Sequence, residues 1–157
     1  GYYNTAFKMG AEKFLTNLKA AGGSGYILPD LPVEEAAELH QLSDTMDLAP
    51  VVLMTPTSTD KSLKRLGGAA RGMVYAVARK GVTGSKTDMG QELDDFLGRC
   101  RQFTSLPIGV GFGVSSKNDI DFLRGRADMV IIGTAALKAW ETGGEQALRD
   151  FFGSLGI

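Results

Sequence analysis

Ile108-Gly109-Val110-Gly111-Phe112-Gly113-Val114-Ser115-Ser116 decides how this chain folds. The segment is apolar and short at its start, glycine-rich in the middle and hydroxyl-bearing at its end, which is the order of a buried strand, a tight turn and a helix start. The same order returns in Met129-Val130-Ile131-Ile132-Gly133-Thr134. On the N-terminal side, Gly25-Tyr26-Ile27-Leu28, Val51-Val52-Leu53-Met54 and Met73-Val74-Tyr75-Ala76-Val77 are three further short apolar stretches. All five are too short for helices and too continuous for strands wetted on one face, so they read as buried strands of a parallel sheet.

Helical periodicity fills the gaps. Ala11, Phe14, Leu15 and Leu18 fall at i, i+3, i+4 and i+7, and Leu93, Phe96, Leu97 and Cys100 repeat that spacing. Start signals agree: Pro32 with Glu34 and Glu35 opens a helix over 33–46, Thr57 to Asp60 opens another, and Ser115-Ser116 a third. The order is strand then helix, repeated, with no linker dividing it, so 1–157 reads as a single unit. A complete (β/α)8 barrel takes about 250 residues, and 157 supply about five units. The sheet is therefore either open and doubly wound, or the later part of a barrel. Tyr2-Tyr3-Asn4, running straight into an amphipathic helix, reads as the end of a strand and favours the second.

Composition excludes several classes of function. Lys and Arg number 17 against 18 Asp and Glu, a net charge of -1, so no global surface for nucleic acid or an anionic membrane exists. No apolar run reaches the roughly 18–20 residues of a membrane helix, and the opening Gly1-Tyr2-Tyr3-Asn4 has neither Met nor a basic region. A cytoplasmic protein is expected. One cysteine, Cys100, and one histidine, His40, rule out a disulfide framework and a dense soft-ligand metal site; no metal or cofactor is expected.

Glycine is abundant, 21 of 157, and its placement carries chemistry. Gly111-Phe112-Gly113 and Gly133-Thr134 end consecutive strands just before helices, where exposed backbone N–H groups bind phosphate. In barrels this is the site formed after strands seven and eight. Gly81-Val82-Thr83-Gly84, in the long loop after the preceding strand, is placed to close over the same anion. Asp30, in Pro29-Asp30-Leu31-Pro32, reads either as a carboxylate facing an active site or as a helix-capping acid before Pro32. Tyr75 reads either as a substrate-positioning residue or as core. His40 and Cys100 lie on helices and read as structural, and Phe151-Phe152 as packing for the last helix.

Taken in order, Tyr2-Tyr3-Asn4, Glu12-Lys13-Phe14, Pro29-Asp30-Leu31-Pro32-Val33-Glu34-Glu35, Pro56-Thr57, Gly81-Val82-Thr83-Gly84, Gly111-Phe112-Gly113-Val114-Ser115 and Gly133-Thr134-Ala135 resemble the α-subunit of tryptophan synthase along nearly the whole chain. The resemblance implies an α/β fold, a partial TIM (β/α)8 barrel from the end of strand 3 through strand 8 and the C-terminal helices. It implies a lyase of tryptophan biosynthesis that cleaves indole-3-glycerol phosphate, by a retro-aldol reaction, to indole and glyceraldehyde 3-phosphate. It further implies phosphate held at Gly84, Gly113, Gly133 and Thr134, with Phe112 beside the substrate and Tyr2 and Leu53 on the wall around the indole. Tyr75 matches a pocket tyrosine, and Thr83 a loop threonine that helps fasten a catalytic aspartate. Asn4, Phe7 and Pro32 match segments facing a pyridoxal-phosphate β-subunit in an αββα assembly.

Two departures follow. Thr134 stands where the family commonly has serine, keeping the hydroxyl and N–H with an added methyl. The family's catalytic glutamate and aspartate belong to strands one and two, ahead of residue 1, so this chain alone is expected to be inactive. Two alternatives remain: another phosphate-binding barrel enzyme of amino-acid biosynthesis, or a non-catalytic partial barrel that binds a β-subunit partner.

Overall fold

A computed structural model describes residues 1–78 and 86–156, the side chains of 86–89 excepted. Strands β1 (Gly25–Ile27), β2 (Ala49–Met54), β3 (Val74–Val77), β4 (Ile108–Gly111) and β5 (Met129–Ile131) form one sheet in sequence order. Every neighbouring pair is parallel. Helices α1 (Tyr3–Met9) and α2 (Ala11–Ala20) precede β1, and α3 (Ala37–Thr45), α4 (Asp60–Ala69), α5 (Lys86–Arg101) and α6 (Lys117–Leu123) connect the strands. After β5 comes α7 (Thr134–Ser154), broken at Gly143 and Gly144. Five parallel strands with crossover helices make a partial barrel, as the strand spacing requires.

Burial alternates along β2 and β3, which corrects the expectation of strands buried on both faces there, whereas Ile108, Gly109 and Val110 of β4 are all buried. In β2, Pro50, Val52 and Met54 are buried while Ala49, Val51 and Leu53 are half-buried. In β3, Val74 and Ala76 are buried while Tyr75 and Val77 are not. The buried set packs with Leu63 of α4, Leu93, Phe96, Leu97 and Cys100 of α5, and Ile120 and Leu123 of α6. Helices thus cover one face, and the apolar residues of the other line the concave side of the sheet. The α5 stripe read from the sequence is wholly buried.

A second cluster joins Ala6, Leu15, Leu39 and Leu48 to Tyr26 and Leu28 of β1. Within it the Tyr26 hydroxyl lies 2.8 Å from Ser43 Oγ, which donates to the Leu39 carbonyl at 2.6 Å, so both buried hydroxyls are satisfied.

Two helix starts differ from expectation. Residues 31–36 are turns and α3 begins only at Ala37, because Pro32 and the exposed Glu34 and Glu35 give no apolar stripe to bury. Tyr3 and Asn4 belong to α1 and not to a strand end; only the segment before them runs alongside β1, the Gly1 ammonium donating to the Ile27 carbonyl at 3.0 Å.

Before β5, Asp128 Oδ2 accepts the Ile108 N–H at 2.8 Å and Arg101 at 3.2 Å, tying α5, β4 and β5 together. The backbone N–H first, and the guanidinium after it, hold this carboxyl below its ordinary pKa. A depressed carboxylate stabilises the fold above its unfolded pKa of about 3.9 and stops doing so as pH falls through the folded value. Asp128→Ala is accordingly expected to lower the thermal midpoint by about 2–4 °C at neutral pH. The difference from the parent should close as the pH falls through and below the ordinary carboxylate range. Leu63→Ala, at a fully buried position between α4 and the sheet, should cost about 2–5 kcal/mol in chemical denaturation at either pH.

Candidate functional site

On the concave face, Tyr75 stands between Leu53 of β2 and Gly109 of β4 in the sheet register. The ring leans over Gly111: a Cβ there would fall inside van der Waals contact of the Tyr75 hydroxyl and ring edge. Glycine at 111 is therefore what lets the tyrosine lie across the sheet toward the strand ends.

Those ends bound a cavity of 490 Å³ lined by Tyr75, Val77, Gly111, Gly113, Val114, Ser115, Ile131, Gly133, Thr134 and Lys138. Gly113 turns the chain with φ +69°, a conformation open to glycine at little cost. Two helix starts meet the cavity, and their electrostatics differ. At α6, Asp119 Oδ2 accepts the Ser115 and Ser116 N–H groups at 2.9 and 3.0 Å and both hydroxyls at 3.3 and 3.0 Å. The protein's own carboxylate thereby satisfies that N-terminus.

At α7, Gly133 gives no side-chain cap and the first turn holds no acid. Elsewhere, Asp30 Oδ1 accepts the Tyr3 N–H at 2.7 Å at the start of α1, Thr59 caps α4, and Glu12 and Glu38 sit in the first turns of α2 and α3. Of the helix starts that the structure describes, only that of α7 has neither cap nor acid. Its unpaired N–H groups and the positive end of its dipole face an open cavity, an arrangement that holds an anion. No carboxylate lines this cavity among the described residues.

Gly113, Gly133, Thr134 and Tyr75 come together as the sequence implies, and Leu53 is Tyr75's partner across the strand pair. Phe112 does not join them. The pleat that turns Gly111 inward sends the Phe112 ring into the helical layer, buried and stacked on Phe122 at 5.4 Å between centroids. Tyr2 lies away from the cavity and is 72% exposed. Asp30 is a capping acid, yet it caps α1 across the fold and not the helix after Pro32. Asn4, Phe7 and Pro32 are exposed. Thr83 and Gly84 lie outside the described residues.

His40 lines a separate 290 Å³ cavity with Asp30, Pro32 and Leu53, and burial pushes its pKa below the ordinary histidine value. Burial likewise raises the Cys100 thiol to about 11, leaving it protonated and inert. Lys138 is the cavity residue that motif reading overlooked. The signal was its position one turn after Thr134 on a helix that opens at a glycine.

The family described as Tryptophan synthase alpha chain matches residues 1–151. Among curated relatives, the tryptophan synthase alpha chain of Desulfotalea psychrophila is 41% identical over 154 residues, covering 98% of this chain and 61% of the relative. That of Syntrophotalea carbinolica is 38% identical with the same coverage. The chain therefore spans about three fifths of the length of these relatives. Among solved structures, tryptophan synthase subunit alpha from Campylobacter jejuni superposes with a TM-score of 0.91 at 33% identity, over 98% of this chain and 62% of that one.

The contact between Gly111 and Tyr75 can be checked directly. Gly111→Ala is expected to cost no more than about 1–2 kcal/mol, because the far end of a flexible ring can give way. In a Tyr75→Ala background that penalty should largely vanish, a coupling read by a double-mutant cycle in urea. Strictly additive effects would show that the ring does not rest on the glycine.

Proposed function

Because this chain belongs to the tryptophan synthase alpha chain family, we propose that it forms the phosphate-binding side of a site cleaving indole-3-glycerol phosphate to indole and glyceraldehyde 3-phosphate in tryptophan biosynthesis. The observation that carries this reading is the uncapped start of α7 facing Gly113 across one cavity, with Tyr75 beside it. Backbone N–H groups around Gly113, Gly133 and Thr134 take the phosphate oxygens, and the Thr134 hydroxyl adds a donor. Tyr75 and Leu53, half-buried on the concave face, form the apolar wall on the indole side, and the backbone of Phe112 holds the two flanking glycines.

Retro-aldol cleavage needs a base to take the substrate hydroxyl proton and an acid to protonate the indole ring carbon as the carbon–carbon bond breaks. In the family a glutamate serves as both acid and base while an aspartate polarises the indole nitrogen, both outside the segment matched here, and Thr83 matches the loop threonine that helps fasten that aspartate. The 157 residues alone bind and orient without turning over. Exposed Asn4, Phe7 and Pro32 form the face toward a β-subunit in an αββα assembly, and the setting is the cytoplasm.

Calorimetric titration of the chain with indole-3-propanol phosphate tests the reading. Binding is expected, weakened about tenfold in Thr134→Val, which deletes a hydroxyl hydrogen bond to a charged group while keeping the side-chain shape. Ribose 5-phosphate should bind far more weakly than the indole ligand. Equal affinity for both would return the site to a generic phosphate cup, and rapid indole release from indole-3-glycerol phosphate by these residues alone would overturn the assignment of acid and base.

A further inference from the structure

We infer that Lys138 is a binding residue of this same cavity, the side-chain cation that supplies charge to an anion whose geometry the backbone N–H groups fix. The inference rests on the reading that the cavity holds a phosphate. Lys138 is part of the cavity lining together with Gly113, Ser115, Gly133 and Thr134. It sits at i+4 from Thr134, and helical side chains slant toward the N-terminus of their helix, so its stem rises over the turn that Thr134 begins.

The surrounding charges leave this ammonium available. Lys19, Arg65, Arg71, Arg99, Arg101, Lys117, Arg124, Arg126 and Arg149 are all committed to ion pairs with Asp or Glu. Among the described residues no carboxylate lies within ion-pair distance of Lys138; besides the helix's own backbone bonds, only the Thr142 hydroxyl meets it, donating to its backbone carbonyl. Asp119, at the start of α6, accepts four hydrogen bonds from Ser115 and Ser116.

A helix N-terminus carries about half a unit of positive charge, against the nearly two negative charges of a phosphate monoester at neutral pH. Without a cation, much of the ligand charge would go unbalanced. An exposed lysine close to the cup closes that gap as a point charge with three donors, and it does so in a salt-sensitive way, unlike the shielded backbone groups.

The test uses inorganic phosphate as the probe, at fixed pH 8, by calorimetry or phosphorus NMR line broadening. The parent chain should bind phosphate with an affinity that falls as sodium chloride rises from about 50 to 300 mM. Lys138→Met is expected to weaken binding about five- to tenfold at the low-salt end and to flatten that dependence. Lys138→Arg should recover affinity to within about threefold and restore the slope. Thr134→Val provides the contrast: it weakens binding with the salt slope kept, and thermal unfolding of each variant confirms that the fold is intact. If the parent binds and Lys138→Met binds equally well with the same salt slope, the role of Lys138 is refuted while the phosphate cup stands. If the parent does not bind phosphate at all, the cup itself fails and this inference falls with it.

Discussion

Every feature of the site depends on the pleat of a parallel sheet whose helices all lie on one side. Alternate residues of a strand point to opposite faces, so committing Val52, Met54, Val74, Ala76, Ile108 and Val110 to the helical core commits Leu53, Tyr75 and Gly111 to the other face. The crossover helices then place every strand's C-terminal end on the same rim. Gly113 and Gly133 become neighbours because β4 pairs with β5, with Val110 opposite Val130 and Gly111 opposite Ile131, although twenty residues of chain separate the two glycines. The concave face carries small and apolar groups, and polarity is confined to the rim where the backbone is exposed.

At the rim the fold allocates negative charge unevenly. Three helix starts are satisfied by specific side-chain acceptors: α1 by Asp30 from a distant loop, α4 by Thr59, and α6 by Asp119 from its own first turn. Each removes an orphan N–H that would otherwise need water. Helix α7 begins without such help, at the edge of the cavity that Gly133 and Thr134 line. Leaving one terminus without a side-chain cap sacrifices some stability, since such a cap contributes about 1 kcal/mol.

The core and the site are thus coupled through glycine. Gly109 and Gly111 have no room for a Cβ because Met73, Ile131 and Tyr75 occupy it, whereas Gly113 needs its positive φ and Gly133 stands in open space. The first pair is about packing and the second about backbone exposure. A sequence shows the same letter in all four places.

Apolar run length and helical spacing were enough to define five strands, their order and the buried stripe of α5, since those depend on local periodicity and on the rule that sequential strands in such units lie side by side. Ordered motifs were also enough to indicate the family. Local signals did not distinguish which acid caps which helix: Asp30 is close to Pro32 in sequence but bonds to Tyr3, and only the docking of α1 against β1 makes that contact. Nor did they show that Phe112 faces Phe122 while its glycine neighbours face the cavity, because the strand reads as continuously apolar and the facing is set by which side the helices cover. Lys138 was equally hard to single out, although its place one turn after Thr134 is legible in the sequence. A lysine on a helix is ordinarily solvated, and it becomes a site residue only when the sheet brings the start of its helix beside a glycine loop from the preceding strand. Periodicity along the chain is a local property and was determined by the sequence; the meeting of two strand ends, and the charge each leaves uncovered, is a property of packing between distant segments and was decided by the tertiary structure.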